Sequence, residues 1–191
     1  VRDDGVFAGL TYQRSENVIA WHRHKLGGTF GTGASATGYG VVESVATISG
    51  ELTEDELYVI VKRTINGATK RYVECFANFD FDETDPTDFK FVDSHLSYSG
   101  SATTTLSGLS HLEGQTVSVL ADGATHPDRV VSSGAITLNR SATKAVVGLA
   151  YNSVLQTMRI EGGAAEGTSQ GKTKRISKVV LRLFETVGAK V

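Results

Sequence analysis

The sequence holds one cysteine, Cys75, two prolines, one methionine and one tryptophan in 191 residues. A lone thiol closes no intrachain disulfide, and without a cysteine cluster a thiolate zinc site is excluded. No apolar run approaches the ~18 residues that a membrane-spanning helix requires. Neither sign of charge is in excess: 19 Lys and Arg against 21 Asp and Glu leave a formal charge of −2. The broad basic surface of a general nucleic-acid binder is therefore missing, and only a local basic patch remains open. The chain opens on Val1-Arg2-Asp3-Asp4-Gly5 with no initiator Met and no signal or transit pattern, and so reads as a fragment.

What is present points to β structure. Hydrophobic residues at 40% and charged residues at 21% suit a folded chain with a real core, and 21 glycines suit many tight turns. Leu10–Arg14 and Val18–His24 are rich in β-branched and aromatic residues and flank Ser15-Glu16-Asn17, a short hairpin loop. Residues Lys25–Gly40 carry six glycines without periodicity and are expected to form a mobile surface loop. Val41–Ile48 reads as a further strand.

The clearest signal is Leu57–Ile65, Asn66-Gly67, Ala68–Phe76. Asn-Gly between β-type runs encodes a type I′ turn, which needs φ > 0 at both central positions. Counting outward, Ile65 faces Ala68, Arg63 faces Lys70, Val61 faces Tyr72, Val59 faces Glu74 and Leu57 faces Phe76. Tyr58, Ile60 and Lys62 share the other face with Cys75, Val73 and Arg71. Both faces are apolar away from the turn, so the hairpin is expected to be covered on both sides, with the Cys75 thiol buried and inert.

From Asn78 to Asp93 the composition turns acidic, which marks a domain boundary. Beyond it, Thr103–Leu106, Thr116–Leu120, Ala135–Leu138, Lys144–Val147 and Val154–Ile160 are short runs broken by glycines, the pattern of a compact β-barrel or sandwich. Residues 161–167 have a linker composition. Lys172–Val187 fits a helix stripe or a strand, and its β-branched content and Gly188 favour a strand. The expected fold is all-β: residues 1–78 as strands and hairpin, 79–165 as a small β-domain, and 166–191 as a strand returning to the first part.

Candidate chemistry is sparse. His22 and His24 share a strand face, but a metal site needs a third ligand that the sequence does not supply nearby. Asp80, Asp82 and Asp85 lack the glycine and terminal glutamate of a calcium loop. Gly31–Gly38 lacks the Gly-Lys-Ser/Thr ending of a phosphate cradle, and no Gly-x-Ser-x-Gly elbow occurs. No catalytic residue, cofactor or metal is expected. One electrostatic feature stands out. Lys62, Arg63, Lys70 and Arg71 pair across the hairpin as like charges, so something acidic must compensate. The candidates are the acidic 80–93 stretch, a neighbouring subunit, or nucleic-acid phosphate. Lys172, Lys174, Arg175, Lys178 and Arg182 pose the same question.

The runs Leu10–Arg14, Val18-Ile19-Ala20-Trp21-His22-Arg23-His24, Val42-Glu43-Ser44-Val45-Ala46 and Arg63–Glu74 resemble a family of bacteriophage virion proteins. The resemblance is to short-tailed phage tail tubular or nozzle proteins and DNA-stabilisation proteins, and it continues through Phe91–Ser94, Leu109–Gly114, Val117–Gly123 and Lys174-Arg175-Ile176. It implies a β-propeller-like sheet assembly with an inserted small β-domain. That domain is similar to the half-domain carrying the first catalytic-cysteine region of ubiquitin-activating enzymes. Asn78–Met158 contains no cysteine, so no thioester chemistry carries over. The implied function is non-catalytic: a nozzle, hub or DNA-stabilisation component of the virion tail, assembled in the bacterial cytoplasm. Its partners would be copies of itself in a ring, adjoining tail proteins and double-stranded DNA in transit, with no membrane span. Lys62, Arg63, Lys70 and Arg71 would then meet DNA or a neighbouring subunit. The alternative is a module binding host-surface glycan, with Tyr98 or Tyr151 stacking on sugar rings.

Overall fold

A computed structural model describes residues 1–50, 55–77, 85–156, 171 and 173–182. It divides into two units, Val1–Asn152 and Ser153–Val191. The first is all-β: three antiparallel sheets, with no α-helix among the described residues. Strands β1 (Phe7–Gln13) and β2 (Val18–His24) form a two-stranded hairpin in which Leu10 faces Trp21 and Tyr12 faces Ile19. Its turn ends on Asn17 in the left-handed region, a conformation Asn tolerates better than most residues.

Strands β3 (Val41–Ile48), β4 (Glu56–Ile65) and β5 (Ala68–Cys75) make the second sheet in that order. The β4–β5 register is the one set by the Asn-Gly turn, with Ile65 opposite Ala68 and Tyr58 opposite Cys75. Asn66 at φ 48° and Gly67 at φ 72° both take the positive values that a type I′ turn requires. The third sheet runs β6-β9-β7-β8, from β6 (Asp93–Ser107), β7 (Thr116–Ala121), β8 (Ala124–Val130) and β9 (Ala135–Leu149). No sheet closes on itself.

The third sheet differs from the expected short strands. Ala135–Leu138 and Lys144–Val147 belong to one continuous strand of 15 residues, and Thr103–Leu106 is the end of another. The polar Asn139-Arg140-Ser141 run reads as a break, yet the β6–β9 ladder carries the chain past it by shifting register near Thr103. β8 hides behind His126-Pro127-Asp128; its Pro127 is tolerated because β8 lies on the sheet edge. Gly148 is required mid-strand, since a Cβ there would sit 2.7 Å from the Asp93 carbonyl oxygen.

Two cores result. The four-stranded sheet buries a cluster that includes Leu106, Leu109, Leu112, Val117, Val131, Ile136, Val147 and Leu149. At ~1.5–3 kcal/mol for each large apolar side chain, this cluster dominates the hydrophobic driving force. The second core, Leu26, Val42, Val59 and Val61 with Phe7, Val45 and Phe76 against it, is much smaller. Polar contacts tie it to its neighbour: Tyr72 Oη donates to the His111 carbonyl at 3.0 Å, and Gln115 Nε2 donates to the Thr64 carbonyl at 3.4 Å.

Within the glycine-rich 25–40 segment, residues 26–31 belong to this junction, whereas 32–36 lie exposed at the surface. Gly27 N donates to Asp93 Oδ2 at 2.5 Å while its carbonyl accepts from Arg63 Nε at 2.7 Å. A Cβ at Gly27 would meet the Leu149 carbonyl oxygen at 2.7 Å, so glycine here serves close backbone approach. Gly31 N donates to Thr64 Oγ1, and Thr64 N to the Thr29 carbonyl.

In the second unit, residues 153–156 and 173–182 form neither strand nor helix and are exposed. The strands expected over Val154–Ile160 and Lys172–Val187 are therefore not formed by their described parts; the rest, like the expected boundaries at 78/79 and 165/166, lies outside the described residues. β-branched composition favours a strand only where a ladder partner exists.

Candidate interaction surface

Cross-strand pairing brings Lys62 opposite Arg71 and Arg63 opposite Lys70, as the register demands. The two pairs point to opposite faces, and their fates differ. Arg63 faces inward and is 0% exposed, with Nη1 and Nη2 on the two Glu74 carboxylate oxygens at 2.5 and 3.0 Å. It is a buried structural ion pair, which corrects the reading of Arg63 as a DNA or subunit contact. A guanidinium has no low-energy way to stay buried without such a partner.

Lys62 and Arg71 face outward and share Glu43. Lys62 Nζ lies 2.9 Å from Oε1, and Arg71 Nε donates to Oε2 at 2.6 Å. Glu43 occupies a register shift between Val42 and Ser44 of β3, a bulge that aims it at both cations. Hydrogen bonds from Arg71 and then Lys62 hold its carboxyl down at about 2. Lys62 also lies over the Phe30 ring at 4.3 Å. Compensation thus comes from β3 and Glu74, while two described carboxylates of the acidic stretch serve elsewhere: Asp88 lies 2.5 Å from Lys144 Nζ and Asp85 at 3.7 Å. Lys70 is exposed and makes no ion pair with another described residue. Lys174, Arg175, Lys178 and Arg182 are exposed in the second unit; Lys172 lies outside the described residues.

The two tyrosines do not form one groove. Tyr98 Oη donates to the Ser101 carbonyl at 2.6 Å, and its ring folds over Gly100. Tyr98 faces Ala145 in the β6–β9 ladder, whereas Tyr151 follows the far end, where Leu149 faces Asp93. Burial, then the Asp93 charge, pushes the Tyr151 phenol up.

His22 Nδ1 and His24 Nε2 are 2.8 Å apart, and the His24 ring lies among Phe7, at 5.2 Å between centroids, and Phe76, at 6.2 Å. Burial, then the neighbouring His22, lowers the His24 pKa. No group of three His, Cys, Asp or Glu side chains able to hold a metal occurs among the described residues. Of the calcium-type carboxylates, Asp80 and Asp82 lie outside the described residues, and Asp85 accepts from Thr87 N at 2.9 Å.

Among the described residues, the hairpin β4–β5 is covered on one face only. Val73 is 72% exposed and Ile60 37%, with Cys75 exposed beside them. The parity that placed Cys75 with Ile60 and Val73 holds, but no described residue covers that face. A second bare face, absent from the sequence reading, is on β1–β2: Leu10, Tyr12, Ile19 and Trp21 are 45, 63, 65 and 74% exposed and lie on one side. The alternation Leu10/Tyr12 and Ile19/Trp21, taken with the hairpin register, was the available signal.

No protein-family model and no curated protein matches the chain. No helix among the described residues is long and apolar enough to cross a membrane.

Proposed function

We propose that the chain is a structural, non-catalytic component of a short-tailed phage tail, of the nozzle, hub or DNA-stabilisation type, acting by ring assembly around passing DNA. The sequence resemblance suggests the class. The observation that carries the mode of action is the pair of bare apolar sheet faces, which a protein working alone in water has reason to avoid and an assembling one needs. On this reading β1 to β5 belong to a propeller-like sheet assembly and β6 to β9 to the inserted small β-domain of 79–165. The separate hydrophobic clusters of the two regions support that division. Its partners are copies of itself and adjoining tail proteins, and its place is the virion.

Contact with DNA through the β4–β5 tip has weaker support, since Glu43 and Glu74 occupy three of its four cations. The glycan reading has weaker support at Tyr98, whose ring is partly buried against the core of the four-stranded sheet. The test is composition: antibody against this chain should label tails in purified particles by electron microscopy. Particles devoid of the chain would end the virion reading.

A further inference from the structure

We propose that copies of this chain join head to tail, the apolar face of hairpin β1–β2 on one copy covering the outward face of sheet β3–β4–β5 on the next. This rests on the assembly reading above and names its surfaces.

The first surface is Leu10 and Tyr12 of β1 opposite Trp21 and Ile19 of β2. With aromatic side chains carrying ~150–250 Å² each, the four leave roughly 600 Å² bare, the upper end for the largest patch on a typical monomer. A two-stranded ribbon is also marginal by itself. Here only the base of its other face is docked, through Phe7 and His24 against Phe76.

The second surface is Ile48, Ile60 and Val73, with Ala46, Tyr58 and Cys75 among them in the ladder, and with Ser44 and, toward its edge, Glu56 as its polar members. The β4–β5 sequence has the pattern of a hairpin buried on both sides. Within the chain the described residues bury only the side of Val59, Val61, Arg63 and Ile65. At the lower end of the bare face the Lys62–Glu43–Arg71 cluster supplies a polar rim of the kind interfaces carry.

The occupant is a second copy because one contact type then covers both faces. Hairpin against hairpin would leave the sheet bare, and sheet against sheet would leave the hairpin bare. A ribbon on a sheet is ordinary sheet-on-sheet packing, ~10 Å apart. Full burial of the hairpin face against an equal area of the sheet, its polar rim included, would bury about 1,200 Å² in total, the lower bound for a stable specific interface. Because the two faces differ, the contact is heterologous and propagates into a ring or an open filament.

The test is sedimentation and light scattering of the 191-residue chain, with Trp21→Glu and Val73→Glu, each checked by circular dichroism. The unsubstituted chain should form multi-copy assemblies, and each variant alone should self-associate about 30-fold more weakly or worse, as for loss of a hot-spot residue. An equimolar mixture should give a dimer and nothing larger, since Trp21→Glu keeps the sheet face and Val73→Glu keeps the hairpin face. Should Trp21→Glu not fold, Tyr12→Lys replaces it. A monomeric unsubstituted chain, or a mixture that stays monomeric, overturns the proposal. Assemblies that both variants leave intact overturn it too, while leaving ring assembly through another surface standing; labelling of purified particles decides the virion reading separately.

Discussion

Arg63 and Asp93 grip the same residue, Gly27, from different sheets: Arg63 Nε donates to the Gly27 carbonyl at 2.7 Å, and Asp93 Oδ2 accepts from Gly27 N at 2.5 Å. The small core of the three-stranded sheet is thereby anchored to the larger one, with Glu74 balancing the guanidinium charge. Burial pushes the Asp93 carboxyl up, against the Gly27 hydrogen bond and the Arg63 charge that lower it.

Removing the counter-ion is expected to cost more than removing the pair. Glu74→Ala leaves a buried charge uncompensated and should destabilise the chain by ~3–5 kcal/mol in urea unfolding, whereas Arg63→Met with Glu74→Leu should recover most of that loss. Arg63→Lys should fail to rescue, because an ammonium cannot reproduce the fork on Glu74 and the bond to Gly27 together. A Glu74→Ala variant as stable as the parent would remove the anchor from this account.

Two glycines should fail for different reasons. Gly67 has positive φ and nothing within 4 Å of its absent Cβ, so Gly67→Val should cost more than ~1 kcal/mol through backbone strain alone and Gly67→Asn distinctly less. Gly27→Ala meets the Leu149 and Ala150 carbonyl oxygens and should separate the sheets, seen as faster amide exchange at Thr64 and Asp93. Equal tolerance of Val and Asn at 67 would sink the turn assignment.

The hairpin around Gly67 was legible because local turn chemistry sets its register; of β1–β2 only the two runs and their short loop were, and Arg14, expected in the first strand, lies in the turn. The partners of the Gly67 hairpin were not legible. Glu43 reaches Lys62 and Arg71 only through a bulge in β3, and a bulge leaves no periodic trace in sequence. Nor does composition distinguish the Gly27 strap from a loose loop, since both are rich in glycine; only the carbonyls of Leu149 and Ala150 beside it reveal why no side chain fits. The expected cover on both faces of β4–β5 is not met by the described residues, which leave Val73 and Cys75 exposed, and that mismatch is the ground for the assembly proposed above.

Acid should weaken the fold in two windows. The His24 pKa is lowered on folding, so stability is expected to fall as pH drops from the ordinary value of 6.5 through the lower folded one. Glu43 is depressed to about 2, so its contribution is present above the ordinary carboxylate range and is lost as pH falls from about 4.5 toward 2. His22→Gln removes one cause of the first shift and should raise the His24 pKa in an NMR titration. Glu43→Gln should narrow the second window in acid unfolding without abolishing it, since hydrogen bonds from Thr87 and from Lys144 and Thr143 hold the Asp85 and Asp122 carboxyls down as well. An unmoved His24 titration would show that burial alone sets it.

The basic tip should prove a poor DNA site. Of its four cations, Arg63 is buried and Lys62 and Arg71 share a carboxylate, which leaves Lys70. Replacing Lys70 with Ser removes at most one phosphate contact, so the slope of log affinity against log salt should change by no more than ~0.9. In fluorescence anisotropy with duplex DNA the parent should bind weakly, without sequence preference, and Lys62→Ser with Arg71→Ser should weaken it further for all sequences alike, because the Glu43 carboxylate is left without its two cations. The same double substitution should loosen self-association by disturbing the polar rim of the outward face. Tight duplex binding that collapses with Lys62→Ser and Arg71→Ser, at unchanged self-association, would instead assign this tip to the DNA in transit.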